Sequence, residues 1–149
     1  VIAVDTNVLV YAHREKRPQH QQPLMSRIAL AEGAWHWALP VFCLGEFVRV
    51  VTHPRIFTSA SSLQAALDAI NGLLKSPSLR ILSPSERFLE LFQQCLLSVD
   101  ARGNVALDAQ IAAVCREHSV TRLLTMVGNF ARFPSIETVA ISTPPQWMR

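Results

Sequence analysis

Three acidic residues stand in contexts that suit chemistry better than solvation. Asp5 follows the apolar run Val1-Ile2-Ala3-Val4 and precedes Thr6-Asn7 and the apolar Val8-Leu9-Val10. Glu46 lies inside the apolar stretch from Val41 to Val51, and Asp108 follows Gly103-Asn104 at the head of Ala109-Gln110-Ile111-Ala112-Ala113. Three carboxylates brought together without a matching set of Lys or Arg residues repel strongly at short range. A hard divalent cation such as Mg²⁺ or Mn²⁺ is the economical way to neutralise them, because such ions prefer oxygen ligands. An ion held there can set a water in line with a phosphodiester and stabilise the charge that develops. Asp5, Glu46 and Asp108 would then be metal ligands, directly or through water, provided the fold carries all three to one place.

The elements that must do so are legible. The residues before Asp5 read as a fully buried parallel strand and those after it as a helix. Asp5 therefore stands at a strand's carboxyl end, where open parallel sheets collect ligands. Its plainer role is to cap the following helix. Asn104 is placed to N-cap the helix of Asp108, which shares a face with Ala112 and Cys115 and sits near the positive end of the helix dipole. A carboxylate buried there needs a metal or another cation as partner. For Glu46 the plainer reading is an exposed side chain paired with Arg49 at i+3.

The rest of the chain alternates strand and helix. Val8 to Ala12 form a short helix that opens into His13-Arg14-Glu15-Lys16-Arg17-Pro18-Gln19-His20, either a phosphate-contacting rim or a solvated loop. A helix with Leu24, Ile28 and Ala31 on one face runs to Gly33. Ala34 to Leu39 read as a strand with Trp35 and Trp37 on one side, and Pro40 suits the first turn of the helix that ends at His53-Pro54. Leu63, Ala66, Leu67, Ile70 and Leu74 form a stripe expected to enter the core, and Leu79 to Leu82 form a strand. Ser83-Pro84-Ser85-Glu86 opens a helix with Phe88, Leu91, Phe92 and Cys95 inward. Arg122 to Thr125 and Val139 to Ile141 are the last strands, and Pro144-Pro145 an extended tail. The pattern predicts a single three-layer α/β/α domain with a mainly parallel central sheet over all 149 residues.

Composition narrows the function classes. Half of the residues are hydrophobic and 17% are charged, which excludes a disordered or low-complexity chain. No apolar run is long enough to span a bilayer. Asp5 interrupts the apolar start, with no basic region ahead of it, so a signal peptide is not expected and the cytoplasm is the expected location. Cys43, Cys95 and Cys115 are far apart and set among apolar neighbours, which predicts reduced core thiols and no zinc site. The net charge of +3 mildly favours an acidic partner such as nucleic acid.

A resemblance sharpens this reading. The Asp5-Thr6-Asn7 start, the Glu46-Phe47-Val48-Arg49 helix and the Gly103-Asn104-x-x-x-Asp108-Ala109 run resemble a PIN domain, as does Thr125 ahead of Asn129-Phe130-Ala131-Arg132-Phe133-Pro134. More narrowly, the chain resembles the VapC toxins of VapBC toxin–antitoxin pairs, over nearly its whole length and with the elements in family order. The resemblance implies a Mg²⁺- or Mn²⁺-dependent endoribonuclease that cuts tRNA, rRNA or mRNA. It implies Asp5, Glu46 and Asp108 as acidic site residues, supported by Thr6, Asn7, Asn104, Thr125 and Asn129. It also implies a homodimer silenced by a VapB-like antitoxin, whose amphipathic segment would lie in an apolar groove near Trp35, Trp37, Phe42 or Phe57, unless those residues pack into the core.

One position departs from the family. Its final loop usually carries a fourth acid where this chain has Val127, and a branched hydrocarbon neither binds a cation nor orients water. Asn129 offers only a neutral oxygen. Weaker metal binding, one ion rather than two and lower activity are the expected consequences. The alternative function is therefore a catalytically weakened PIN-fold protein that binds RNA or its antitoxin. A phosphatase-like domain with Asp5 as nucleophile is disfavoured, because no lysine and glycine-rich phosphate loop accompanies it.

Overall fold

Ile2, Ala3 and Val4 are wholly buried, as a strand covered on both faces must be, and they form the central strand β1 (Ile2–Val4). The computed structural model describes residues 1–14, 37–125 and 128–140. β2 (Trp37–Pro40) pairs with β1 on one side and with β3 (Leu79–Leu82) beyond it. β4 (Arg122–Thr125) pairs with the other side of β1 and carries β5 (Glu137–Ala140) at its outer edge. The sheet is five-stranded in the order β3-β2-β1-β4-β5, and every pairing is parallel. The chain thus grows outward from β1 through β2 to β3 and then crosses to β4 on the opposite flank. That reversal makes the carboxyl end of β1 and β4 the switch point of the sheet.

Among the described residues five α-helices cover this sheet: α1 (Thr6–Arg14), α2 (Phe42–Val51), α3 (Leu63–Leu74), α4 (Phe88–Ser98) and α5 (Val105–Glu117). A short 3-10 helix spans Gly128–Arg132. α1 packs on α2, α2 on α3, and α4 runs along α5. The result is the expected three-layer α/β domain. Ala109 and Ile111 to Cys115 are buried, so α5 is the most deeply set helix, and Asp108 rides on the turn just before this buried run. No described helix is long and apolar enough to cross a membrane.

The elements follow the sequence reading with instructive differences. Pro40 does not begin a helix; it ends β2. The amides of Trp37 and Val41 bond to Ser78 and Leu82 on the β3 side, so the N–H that Pro40 lacks falls on the β1 side. There the register with β1 has already ended at Ala38, and no ladder bond is lost. α1 continues through His13 and Arg14, which tie down the loop before α3. His13 Nε2 meets Ser61 Oγ at 2.8 Å, the Arg14 guanidinium donates to the Ser59 carbonyl at 2.6 Å, and it lies 4.1 Å from the Phe57 ring centre. These two basic residues sit at the end of α1 remote from Asp5 and do not rim a site there.

The stripe on α3 enters the core only in part. Ala66 is buried and Ile70 packs against the core, while Leu63, Leu67 and Leu74 are exposed. The opening of α4 is also built differently from the local Ser-Pro-Ser-Glu signal. Its amides are met from α5, where the Glu117 carboxylate accepts the N–H groups of Ser85 and Arg87, both at 2.8 Å. The basic segment beyond Arg14, the helix expected to end at Gly33, Trp35, Val127 and the Pro144-Pro145 tail lie outside the described residues.

Candidate active site

Asp5 leaves the central strand at the switch point and enters α1 directly. Its backbone continues the sheet by donating to the Leu124 carbonyl at 2.9 Å, while its own carbonyl accepts from Val8 at 3.1 Å and starts the helix. The carboxylate Oδ1 accepts the Thr6 amide at 2.7 Å, and Oδ2 accepts the Thr125 hydroxyl at 2.9 Å. Asp5 therefore caps the first amide of α1 and is also a buried carboxylate held from two elements. Thr125 reaches it because β4 ends beside β1, and the Asn7 side-chain amide donates to the Thr125 hydroxyl at 3.3 Å. Asp5, Thr6 and Thr125 make up the buried polar set among the described residues, gathered at one end of two adjacent strands.

Burial leaves its mark on Asp5. Its carboxyl is pushed up to about 6, chiefly because burial disfavours the charged form. The hydrogen bonds from Thr125 and Thr6 oppose the rise, and the charges of Glu46 and Asp108 add to it. Asp108 is also raised, first by its own partial burial and then by Glu46, while Arg132 pulls it down. The three acids singled out by sequence therefore act on one another electrostatically. α2 delivers Glu46, whose Oε2 accepts the Thr6 hydroxyl at 3.5 Å while Oε1 lies 3.7 Å from Arg49. The i+3 surface pairing is realised, and the same side chain reaches Thr6 beside Asp5.

Beneath this polar group lie two neutral thiols. Cys43 donates to the Val4 carbonyl at 3.9 Å, and burial pushes both it and Cys115 far above the ordinary thiol range. All three cysteines are reduced, as their spacing predicted.

Asn104 corrects the expectation placed on it. It occupies the cap position of α5, yet its backbone is helical and its side chain makes no capping bond. Helical geometry at that residue turns the side chain away from the amides it would need. The α5 entry is instead held by backbone turns, with Gly103 at φ +58 supplying the left-handed residue. Asn129 lies on the 3-10 helix. Arg49, expected beside Glu46, and Arg132, which the search for acids assigned no role, are the cations of the site. Their signal was their place within the Asn129-Phe130-Ala131-Arg132 and Glu46-Phe47-Val48-Arg49 runs.

The donor set suits a hard cation: carboxylate oxygens, partly buried, mutually repelling and only partly offset by two arginines. Among the described residues no three His, Cys, Asp or Glu side chains draw close enough to enclose an ion by themselves. The acids by themselves therefore do not form a closed ion cage.

Comparison with known proteins gives consistent matches. The family model for the PIN domain matches residues 2–135. Ribonuclease VapC43 of Mycobacterium tuberculosis is 41% identical over 135 residues, covering 89% of this chain and 90% of that protein. The crystal structure of VapBC2 from Rickettsia felis bound to a DNA fragment from their promoter contains a similar chain, with a TM-score of 0.67 and 19% identity over 92% of this chain and 96% of that one. The crystal structure of Mycobacterium tuberculosis VapC20, a sarcin-ricin loop cleaving toxin, gives a TM-score of 0.62 and 20% identity over 88% and 93%. The last two likenesses bear on the fold alone.

Proposed function

Because this chain belongs to the PIN-domain family, and within it to the VapC ribonuclease toxins, we propose that it is an endoribonuclease whose Asp5, Glu46 and Asp108 hold Mg²⁺ or Mn²⁺. One observation carries the reading: Asp5 is buried at the switch point of the sheet, its proton affinity raised by burial and by the other two acids. A protein keeps so unfavourable a carboxylate where something positively charged is to be bound.

When bound, the cation supplies Lewis-acid polarisation of the phosphodiester and orientation of the attacking water. The chain's own residues prepare that site. Thr6 and Thr125 each occupy one lone pair of the Asp5 carboxylate, fixing its orientation while leaving acceptor capacity on both oxygens. Asn7 steadies Thr125, and the Thr6 hydroxyl and Arg49 hold Glu46 from two sides. Arg132 offsets part of the Asp108 charge and is placed to attract an RNA phosphate. Asp5 must give up its proton for the cluster to hold a cation, so cation affinity rises with pH through about 6.

The kinship with VapC ribonucleases supports a VapB-like antitoxin as the partner in this reading, with the chain a homodimer in the cytoplasm. A basic side chain on an amphipathic antitoxin segment would occupy the place of the cation at the acids. A second reading, of a weakened nuclease, rests on Val127 standing where the family carries a fourth acid. Incubating antitoxin-free protein with total cellular RNA and Mg²⁺, Mn²⁺ or chelator tests both. Discrete products that need metal and vanish in Asp5→Asn are expected. Products in Val127→Asp alone would leave the weakened reading, and products that survive Asp5→Asn would remove the carboxylate cluster from the reaction.

A further inference from the structure

Beside the acids, α2 and α5 leave a groove of about 230 Å³ lined by Phe42, Gly45, Glu46, Arg49, Gln110 and Ile111. Its volume is below that of pockets for drug-sized ligands and suits one planar ring. Its walls are chemically divided. Phe42 and the exposed Leu107 offer apolar surface over the buried Ile111, Gln110 an amide with both donor and acceptor, and Arg49 a guanidinium. Glu46 belongs to this groove and also bonds Thr6 of the acid cluster, so the groove is continuous with the candidate active site.

Gly45 adds an independent sign. It lies inside α2, where glycine costs about 1 kcal/mol relative to alanine. No packing demand explains it, because a Cβ at that position would meet nothing within 4 Å. The missing side chain keeps the groove open where the helix backbone forms its wall. Gly72 on α3 is equally unconstrained and is not part of this groove's lining, which makes it the natural control.

We propose that this groove is a nucleobase subsite: the base next to the scissile phosphate stacks against Phe42 and Leu107, with its edge read by Gln110 and its phosphate met by Arg49. An aromatic face with apolar surface beside it, one bifunctional amide and one guanidinium are means by which single-stranded RNA is held. The proposal rests on the nuclease reading for the direction of the RNA but not for the binding itself, and the test separates the two.

Nuclear magnetic resonance of the full chain, titrated with each nucleoside 5′-monophosphate and with ribose 5-phosphate, is the first arm. Saturable shifts of the Gly45 backbone and Gln110 side-chain amides are expected with at least one nucleotide and not with ribose 5-phosphate. Gly45→Leu should weaken them about tenfold or more, within the range that base stacking contributes, and Gly72→Leu should not. Equal shifts with ribose 5-phosphate, no shifts at all, or shifts that persist in Gly45→Leu overturn the subsite. Absent shifts together with loss of antitoxin inhibition in Gly45→Leu would assign the groove to a protein segment instead. The second arm maps cut sites in RNA, where Gln110→Ala should flatten the base preference at one position beside the cut. A preference that Gln110→Ala leaves intact overturns the subsite. Base-dependent shifts in a chain that cuts no RNA would retain the subsite and remove the nuclease reading.

Discussion

The carboxyl end of β1 and the outer face of α3 violate the usual partition of residues in opposite ways. At the first, Asp5, Thr6 and Thr125 are polar and buried, with Asp5 only 5% exposed. At the second, Leu63, Leu67 and Leu74 are apolar and 60%, 41% and 49% exposed. Burying a carboxylate costs free energy in the isolated chain, and exposing leucines forgoes some that burial would provide. The two differ in what surrounds them. Each oxygen of Asp5 has a donor, one the adjacent Thr6 amide and the other Thr125 on β4, so the cost is organised around one point. The α3 leucines have no such organisation, and their stripe is a surface feature that folding alone does not use.

This contrast can be broken by substitution. Asp5→Asn should produce the largest effect, a loss of at least about a thousandfold in RNA cleavage, comparable to removing a principal electrostatic group from an active site. Kinetics on a mapped RNA substrate check it.

The same substitution should make the cation-free protein more stable. The Asp5 carboxyl is raised from 3.8 to about 6, so the folded chain holds that proton more tightly than the unfolded chain. The stability difference is absent below the unfolded value and grows as pH rises through the folded one. Asp5→Asn in chelator is therefore expected to gain up to about 3 kcal/mol at pH 7.5 and nothing near pH 3, read from urea unfolding. A wild type that becomes more stable between those values would reverse the sign of the account.

Thr125→Val keeps the volume of β4's last residue but removes the donor to Asp5. About a tenfold fall in cleavage is expected, with the rise of activity displaced to higher pH because the carboxyl loses a bond that holds it down. A pH–rate profile separates this from simple misfolding, which would lower the profile without moving it. Leu67→Gln on α3 is expected to change unfolding free energy by less than about 0.5 kcal/mol, as an exposed position should. A loss of 2 kcal/mol or more, by the scale of core truncations, would return that stripe to the core.

Local patterns made much of this legible. The β1 run, the turn at Asp5 and the buried face of α5 each follow from apolar periodicity and side-chain size, which act over a few residues. What escaped was decided at a distance. The Ser-Pro-Ser-Glu segment carries a cap signal, but Glu117 from α5 satisfies the amides there. Pro40 resembles a helix start until the end of its pairing with β1 makes its missing N–H harmless. Leu63 and Leu67 have the spacing of core residues, yet whether a helix face is covered depends on what the rest of the chain brings to it. The acids were legible as candidates from their apolar surroundings. Their mutual repulsion and the opposing arginines belong to the fold.

The central claim is that this acid cluster holds a divalent cation, and direct titration with Mn²⁺ tests it without any RNA. Calorimetry on the full chain should give saturable binding at pH 7.5, with binding weakened at pH 5.5 and lost in Asp5→Asn. Binding of equal strength in Asp5→Asn would place the ion elsewhere and contradict the account.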